Sequence, residues 1–220
     1  GHWLFLGLAA PNFAQGLRVG VKAGVPLTAY FDTGVARSPQ GGSEYSAATR
    51  RYTAGASAEW RWTHDFGFEL DALYKRMGYV GIVSTFAGGI SSTWALDAKG
   101  NSWDFPLLAK CRFGRAVRPY LAAGGVLRYI GPVRARGEYI VEDRIAGTTT
   151  HTPIDTSDPS DLRKRLYPGL TAGGGIEFEL RGVRLLPELR YTRWTANLQG
   201  PRGLLRFNPN QAEVLLGLLF

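Results

Sequence analysis

Few residues in this chain have the types and spacings from which catalysis is built. It holds three histidines and one cysteine. His64 stands beside Asp65, and His151 precedes Asp155, Asp158 and Asp161 in a stretch rich in Thr, Ser and Pro. A His/Asp set can move a proton or hold a cation. Yet the His64-Asp65 pair also has the composition of a tight turn, and the surroundings of His151 are those of a solvated loop. His2 lies in an apolar leading segment. Cys111 has no second cysteine with which to form a disulfide or a paired metal site, and it reads as a small side chain, buried or facing lipid. No Gly-x-Ser-x-Gly nucleophile turn and no Walker-type phosphate loop occurs. The expectation is a protein that is not an enzyme and carries no cofactor or metal.

The 26 Lys and Arg against 18 Asp and Glu give a formal charge of +8, which by itself would suit a binder of nucleic acid or of a membrane surface. The basic residues are scattered singly among acids, however, and the densest group is Arg163, Lys164 and Arg165. Nucleic acid is therefore not an expected partner. Solvated loops and internal ion pairs account for most of this charge, with attraction to acidic lipid head groups as the functional alternative.

What positions these residues is a recurrent period of two. The chain has 29 glycines with 6 Trp, 10 Tyr and 11 Phe, a balance that suits strands better than helices. From residue 17 onward, apolar and polar side chains alternate in eight runs of roughly ten residues, enough for a tilted strand to cross a bilayer. One face carries charges of both signs: Arg18 and Lys22; Arg51, Glu59 and Arg61; Glu69, Asp71 and Lys75; Asp104, Lys110 and Arg112; Arg128; Glu177 and Glu179; Glu188 and Arg190; and Glu213. The phase of the run over residues 119–130 is the least regular, with Leu121, Ala123, Leu127 and Tyr129 assigned to the apolar face.

The joins between runs alternate in length. Short ones fall around residues 64–65, 114–116 and 182, and long ones span residues 26–50, 78–101, 131–163 and 195–209. A soluble sandwich has no reason to segregate its loops this way, whereas a membrane barrel does, with tight periplasmic turns and long extracellular loops. The apolar face also grades from aromatic to aliphatic to aromatic. Trp60, Trp62, Phe66, Phe68, Phe113 and Phe178 fall toward the short-turn ends, and Trp103, Phe105, Tyr129 and Tyr191 toward the long-loop ends, the pattern of two girdles at head-group depth. The prediction is an all-β, antiparallel up-and-down transmembrane barrel of about eight strands, apolar face to lipid and charged face to a narrow lumen. Pro106, Pro119, Pro168 and Pro187 are expected near the barrel rims, and Leu73, Leu215 and Leu219 as apolar intruders on the lumen side.

The opening strand Gly20-Val21-Lys22-Ala23-Gly24-Val25-Pro26-Leu27, the segments Trp103-Asp104-Phe105-Pro106-Leu107-Leu108 and Arg118-Pro119-Tyr120, and the closing Val214-Leu215-Leu216-Gly217-Leu218-Leu219-Phe220 together resemble the outer-membrane protein β-barrel domain family, relatives of the OmpA transmembrane domain and of OmpX. The resemblance implies a place in the bacterial outer membrane, with outer-membrane lipid and the barrel-assembly machinery as partners. Val214, Leu216, Leu218 and Phe220 then form the terminal signal read by that machinery. Residues 1–14 contain an apolar run of signal-peptide length, expected to be the remnant of a leader before a single barrel domain at residues 15–220. The expected role is structural or surface interaction, with an extracellular ligand at the loops. A narrow porin-like channel is the alternative, and a lipid-modifying enzyme or protease comes third.

Overall fold

A computed structural model describes residues 16–114, 117–157, 165–195 and 206–220. Eight antiparallel strands close a barrel: β1 (Leu17–Pro26), β5 (Thr53–Arg61), β6 (Phe66–Ala87), β7 (Ile90–Arg112), β8 (Arg118–Asp143), β10 (Leu166–Leu180), β11 (Val183–Trp194) and β13 (Asn210–Leu219). Each pairs with its barrel neighbours in sequence, and β1 closes the ring against β13, from Gly20↔Leu219 to Pro26↔Glu213. The strands form because their alternation suits a wall with two solvents. Val19, Val21, Leu107, Leu121 and Leu170 are exposed outward, while Lys22, Glu69, Lys110 and Arg190 are buried inward. No helix among the described residues is long and apolar enough to cross a membrane; the strands make the crossing.

At the periplasmic end the connections are tight. Arg181 and Gly182 join β10 to β11 with φ of 52° and 88°, both left-handed, as the hand of a two-residue hairpin turn demands. The other end departs from the expectation of loops. Five further strands occupy the long joins: β2 (Phe31–Asp32), β3 (Gly34–Ser38), β4 (Gly41–Ala47), β9 (Thr148–Ser157) and β12 (Arg206–Phe207). β6, β7 and β8 are more than twice the expected ten residues, at 22, 23 and 26. The β6–β7 pairing runs from Leu73↔Asp104 to Ala87↔Ile90 and ends in a Gly88-Gly89 turn, whose φ of 57° and 82° again fits a tight hairpin. With β4 on one flank, β3 beyond it and β9 on the other, they build an open six-stranded sheet above the barrel.

A register shift between Gly100 and Ser102 marks the change from barrel to open sheet. The extra residue flips the phase of β8, so that Tyr129 faces out below the bulge and Arg134 and Arg136 face out above it. Two prolines also sit elsewhere than expected. Pro106 and Pro187 lie within β7 and β11, where the ladders to β6 and β10 lapse for two residues without changing register, as a missing backbone N–H requires.

Candidate functional site

The barrel interior is the most chemically dense region of the protein, and it divides into two halves. In the periplasmic half, strand alternation aims charges from every side at one axis. Glu69 accepts from Lys22, Lys110 and, at 3.1 Å, Arg190. Lys22 also donates to Asp71 and Glu188, both at 3.2 Å, and Arg190 reaches the same two acids at 2.9 and 2.6 Å. Ser57 and Tyr120 complete the cage, donating to Asp71 at 2.6 Å and to Glu188 at 3.1 Å. Nearer the periplasm, Glu177 accepts from Arg61 at 3.0 Å and Arg112 at 2.8 Å, and Glu59 accepts from Lys110 at 3.2 Å. Farther out, Arg128 forks onto Asp104 at 2.6 and 2.8 Å, and Lys75 bridges Asp104 and Glu213 at 3.0 and 2.8 Å.

These groups are buried because eight strands leave room only for side chains. Buried charge is costly unless paired and hydrogen-bonded, and a continuous network meets that need. Two glycines create the space. A Cβ on Gly175 would stand 2.7 Å from the Tyr120 hydroxyl, and one on Gly173 would stand 3.3 Å from Glu188 Oε1. Leu73, Leu215 and Leu219 are buried on the lumen side, joined there by Leu108 and Leu186.

The extracellular half is filled differently. Tyr30 folds in from the β1–β2 connection, Phe31 comes from β2 and Phe207 from β12, and they pack against Tyr79, Tyr167 and Trp194. Ring centroids of Phe31 and Phe207 are 4.6 Å apart, and β2 pairs with β12 across the mouth. Arg128 joins the two halves. Its guanidinium sits 4.4 Å from the Tyr30 ring and 4.0 Å from the Trp194 ring while its nitrogens hold Asp104. Burial pushes the Tyr30 phenol above the ordinary tyrosine range. This aromatic lid is absent from the period-two pattern, since its members come from connections as well as strands.

With this geometry in hand, comparison with known proteins decides the family. The model of the outer membrane protein beta-barrel domain matches residues 13–193, most of the chain. The chain belongs to that family. Its place is the bacterial outer membrane. No protein among the curated ones matches the sequence. Among solved structures, Neisserial surface protein A is similar at 19% identity and a TM-score of 0.42, over 93% of this chain and 96% of that one. Ail, the attachment invasion locus protein of Yersinia pestis, is similar at 11% identity and a TM-score of 0.41, over 93% and 99%.

In this outer-membrane barrel the remaining sequence-singled residues fall as follows. Trp62, Phe113, Phe178, Trp103, Phe105, Tyr129 and Tyr191 are exposed on the outer wall, with Trp60, Phe66 and Phe68 half-buried against one another. Trp60 stacks on Phe68 with centroids 6.0 Å apart, and Tyr74 meets Trp103 edge-on at 5.4 Å. Val214, Leu216 and Phe220 are exposed, Leu218 is half-buried, and the Phe220 amide donates to Val19 O at 2.9 Å. Cys111 is exposed on the same wall.

Three charges assigned to the lumen lie elsewhere. Arg51 precedes β5, which begins only at Thr53, and it is exposed at the extracellular rim. Arg18 and Glu179 reach only the periplasmic mouth, 3.8 Å apart and partly in solvent. His151 belongs to β9 rather than a loop. It pairs with Glu138 at 2.9 Å, and Asp155 instead faces Arg134 and Arg136 at 3.5 and 3.3 Å. All of these are about half exposed or more, so the geometry is that of a solvated ion-pair face. Asp158 and Asp161, like His2 and the leader at residues 1–14, lie outside the described residues. His64 bonds Asp65 at 2.7 Å in the β5–β6 turn.

Proposed function

We propose that this outer-membrane barrel is a non-catalytic surface-interaction protein whose working part is the open sheet carried above the membrane by β6, β7 and β8. The observation that carries this reading is the continued pairing of those strands far past the row Tyr74, Trp103 and Tyr129, with a single bulge between β7 and β8. A strand that has already crossed the bilayer gains nothing for membrane anchoring by continuing for another ten residues. Such a sheet is a rigid platform, more exact in presenting side chains than free loops are. Its inner face offers the Trp94–Tyr139 ring pair, centroids 4.4 Å apart. Its outer face offers Arg134 and Arg136 beside a groove of about 400 Å³ that Arg76 and Lys99 also line. The outward aromatic rows act as girdles in the head-group zones, the basic groups above the outer row meet acidic lipid heads, and Phe220 with its alternating strand is the feature the assembly machinery reads.

The test is to replace residues 79–98 by a short turn and follow insertion and the binding of intact cells to surface glycans and matrix proteins. Normal insertion with lost binding is expected; unchanged binding would sink the platform reading. A channel is disfavoured by a lumen filled in both halves. Stable large conductance steps from the purified protein in planar bilayers would restore it.

A further inference from the structure

Charge balance along the lumen is uneven. In the central cage, Lys22, Lys110 and Arg190 face Glu69, Asp71 and Glu188, and toward the outside Lys75 and Arg128 face Asp104 and Glu213. At the periplasmic mouth the count no longer closes. Among the described residues, Arg18, Arg61, Arg112 and Arg184 surround Glu59, Glu177 and Glu179, and Lys110 draws on Glu59 as well.

The shortage shows in the hydrogen bonding. Arg61 Nε, Arg112 Nη1 and Arg184 Nε are buried without a hydrogen-bond partner among the described residues. Arg184 is only 6% exposed, and its Nε lies 3.4 Å from Glu177 Oε1 without making that bond. Arg18, Arg61 and Arg184, from three different strands, line a cavity of about 440 Å³ with Trp62, Thr63 and His64, open to the periplasm. Guanidiniums whose donors are not all taken up by carboxylates, gathered around an open cavity, suit an oxyanion as ligand.

We propose that this periplasmic mouth is a phosphate-binding site. Guanidiniums converging from β1, β5 and β11 suit a tetrahedral group with oxygens on several sides better than a planar carboxylate, which one arginine fork can saturate. The cavity also reaches Trp62, an outward ring of the periplasmic row, so a lipid head-group phosphate of the inner leaflet and a free phosphate can both enter. The site is at the opposite end from the extracellular sheet and stands or falls independently of it.

The test uses the full chain, refolded in neutral detergent and checked for folding by its heat-dependent gel migration. Inorganic phosphate is titrated while the arginine Nε–H signals of the ¹⁵N-labelled protein are followed. Saturable shifts at Arg61 and Arg184 are expected, weakened about tenfold by Arg18→Gln, the loss of one charge-assisted bond. The extracellular Arg134→Gln should leave them unchanged. Arg18 suits the test because its side chain is 29% exposed and lies outside the central cage, so its variant should fold. Repeating the titration in phosphatidylglycerol bilayers separates the sources: competition identifies the head group as occupant, and its absence identifies free phosphate. Shifts that fail to saturate, that acetate reproduces at equal strength, or that survive Arg18→Gln would overturn the assignment.

Discussion

The two halves of the lumen solve one packing problem by opposite means. A closed eight-stranded barrel encloses a space that must be filled, and the periplasmic half fills it with charges held in a shared network. The extracellular half fills it with rings from Tyr30, Phe31, Tyr79, Tyr167, Trp194 and Phe207. The charged half is brittle in principle, since each ion is tolerable only while its partners stay. The aromatic half depends on contact area, and its loss should be local because β2 and β12 cover the mouth without forming part of the barrel wall.

The largest effect is expected from Glu69→Ala, which takes one carboxylate partner from Lys22, Lys110 and Arg190 at once and leaves the cage with a net positive charge. It should lower unfolding stability by about 3 to 5 kcal/mol, read from urea midpoints in micelles. A loss below about 1 kcal/mol would mean that water already solvates the network. Next comes Phe31→Ala, with a cost of about 3 kcal/mol falling mainly on the lid. Amide exchange should quicken at Phe31 and Phe207 while Val21 and Leu215 stay protected, and equal quickening in both halves would erase the distinction. A smaller effect is expected from pH. Because the folded Tyr30 phenol holds its proton above the ordinary range, the unfolded state ionises first, so lid stability should be intact below about pH 10 and fall as pH rises beyond it. Tyr30→Phe should flatten that dependence. The smallest change belongs to Asp155→Ala on the extracellular sheet, where its arginine partners are about two-thirds exposed. Within about 1 kcal/mol of the parent is expected, and a larger loss would show that the sheet is an energetic part of the barrel.

Much of the wall was legible in the sequence. The alternation names which residue points to lipid and which to the lumen, and it does so for Lys22, Glu69, Asp71, Lys110, Glu188 and Arg190 alike, because a strand's side chains change face at every residue. It failed where a strand had not yet begun, as at Arg51, or ran out into solvent, as at Arg18 and Glu179. Gly88-Gly89 was a readable signal for the long β6–β7 hairpin, since two adjacent glycines serve a turn that needs left-handed backbone at both positions. The loop reading overlooked it because mixed polar and apolar residues at 79–98 lack the lipid-facing stripe used to find the other strands.

The sequence by itself determined the topology of the wall, the sidedness of its turns and the sign of each face, since all of these follow from local period and local turn chemistry. Only the tertiary structure decided which charges share a hydrogen-bond donor or acceptor, that Tyr30 and Phe207 close one mouth, and that Arg18, Arg61, Arg112 and Arg184 gather around three glutamates at the other. Those facts depend on closing the ring of β1 against β13. Closure brings together residues as far apart as Lys22 and Glu188, and no local pattern encodes a distance across the lumen.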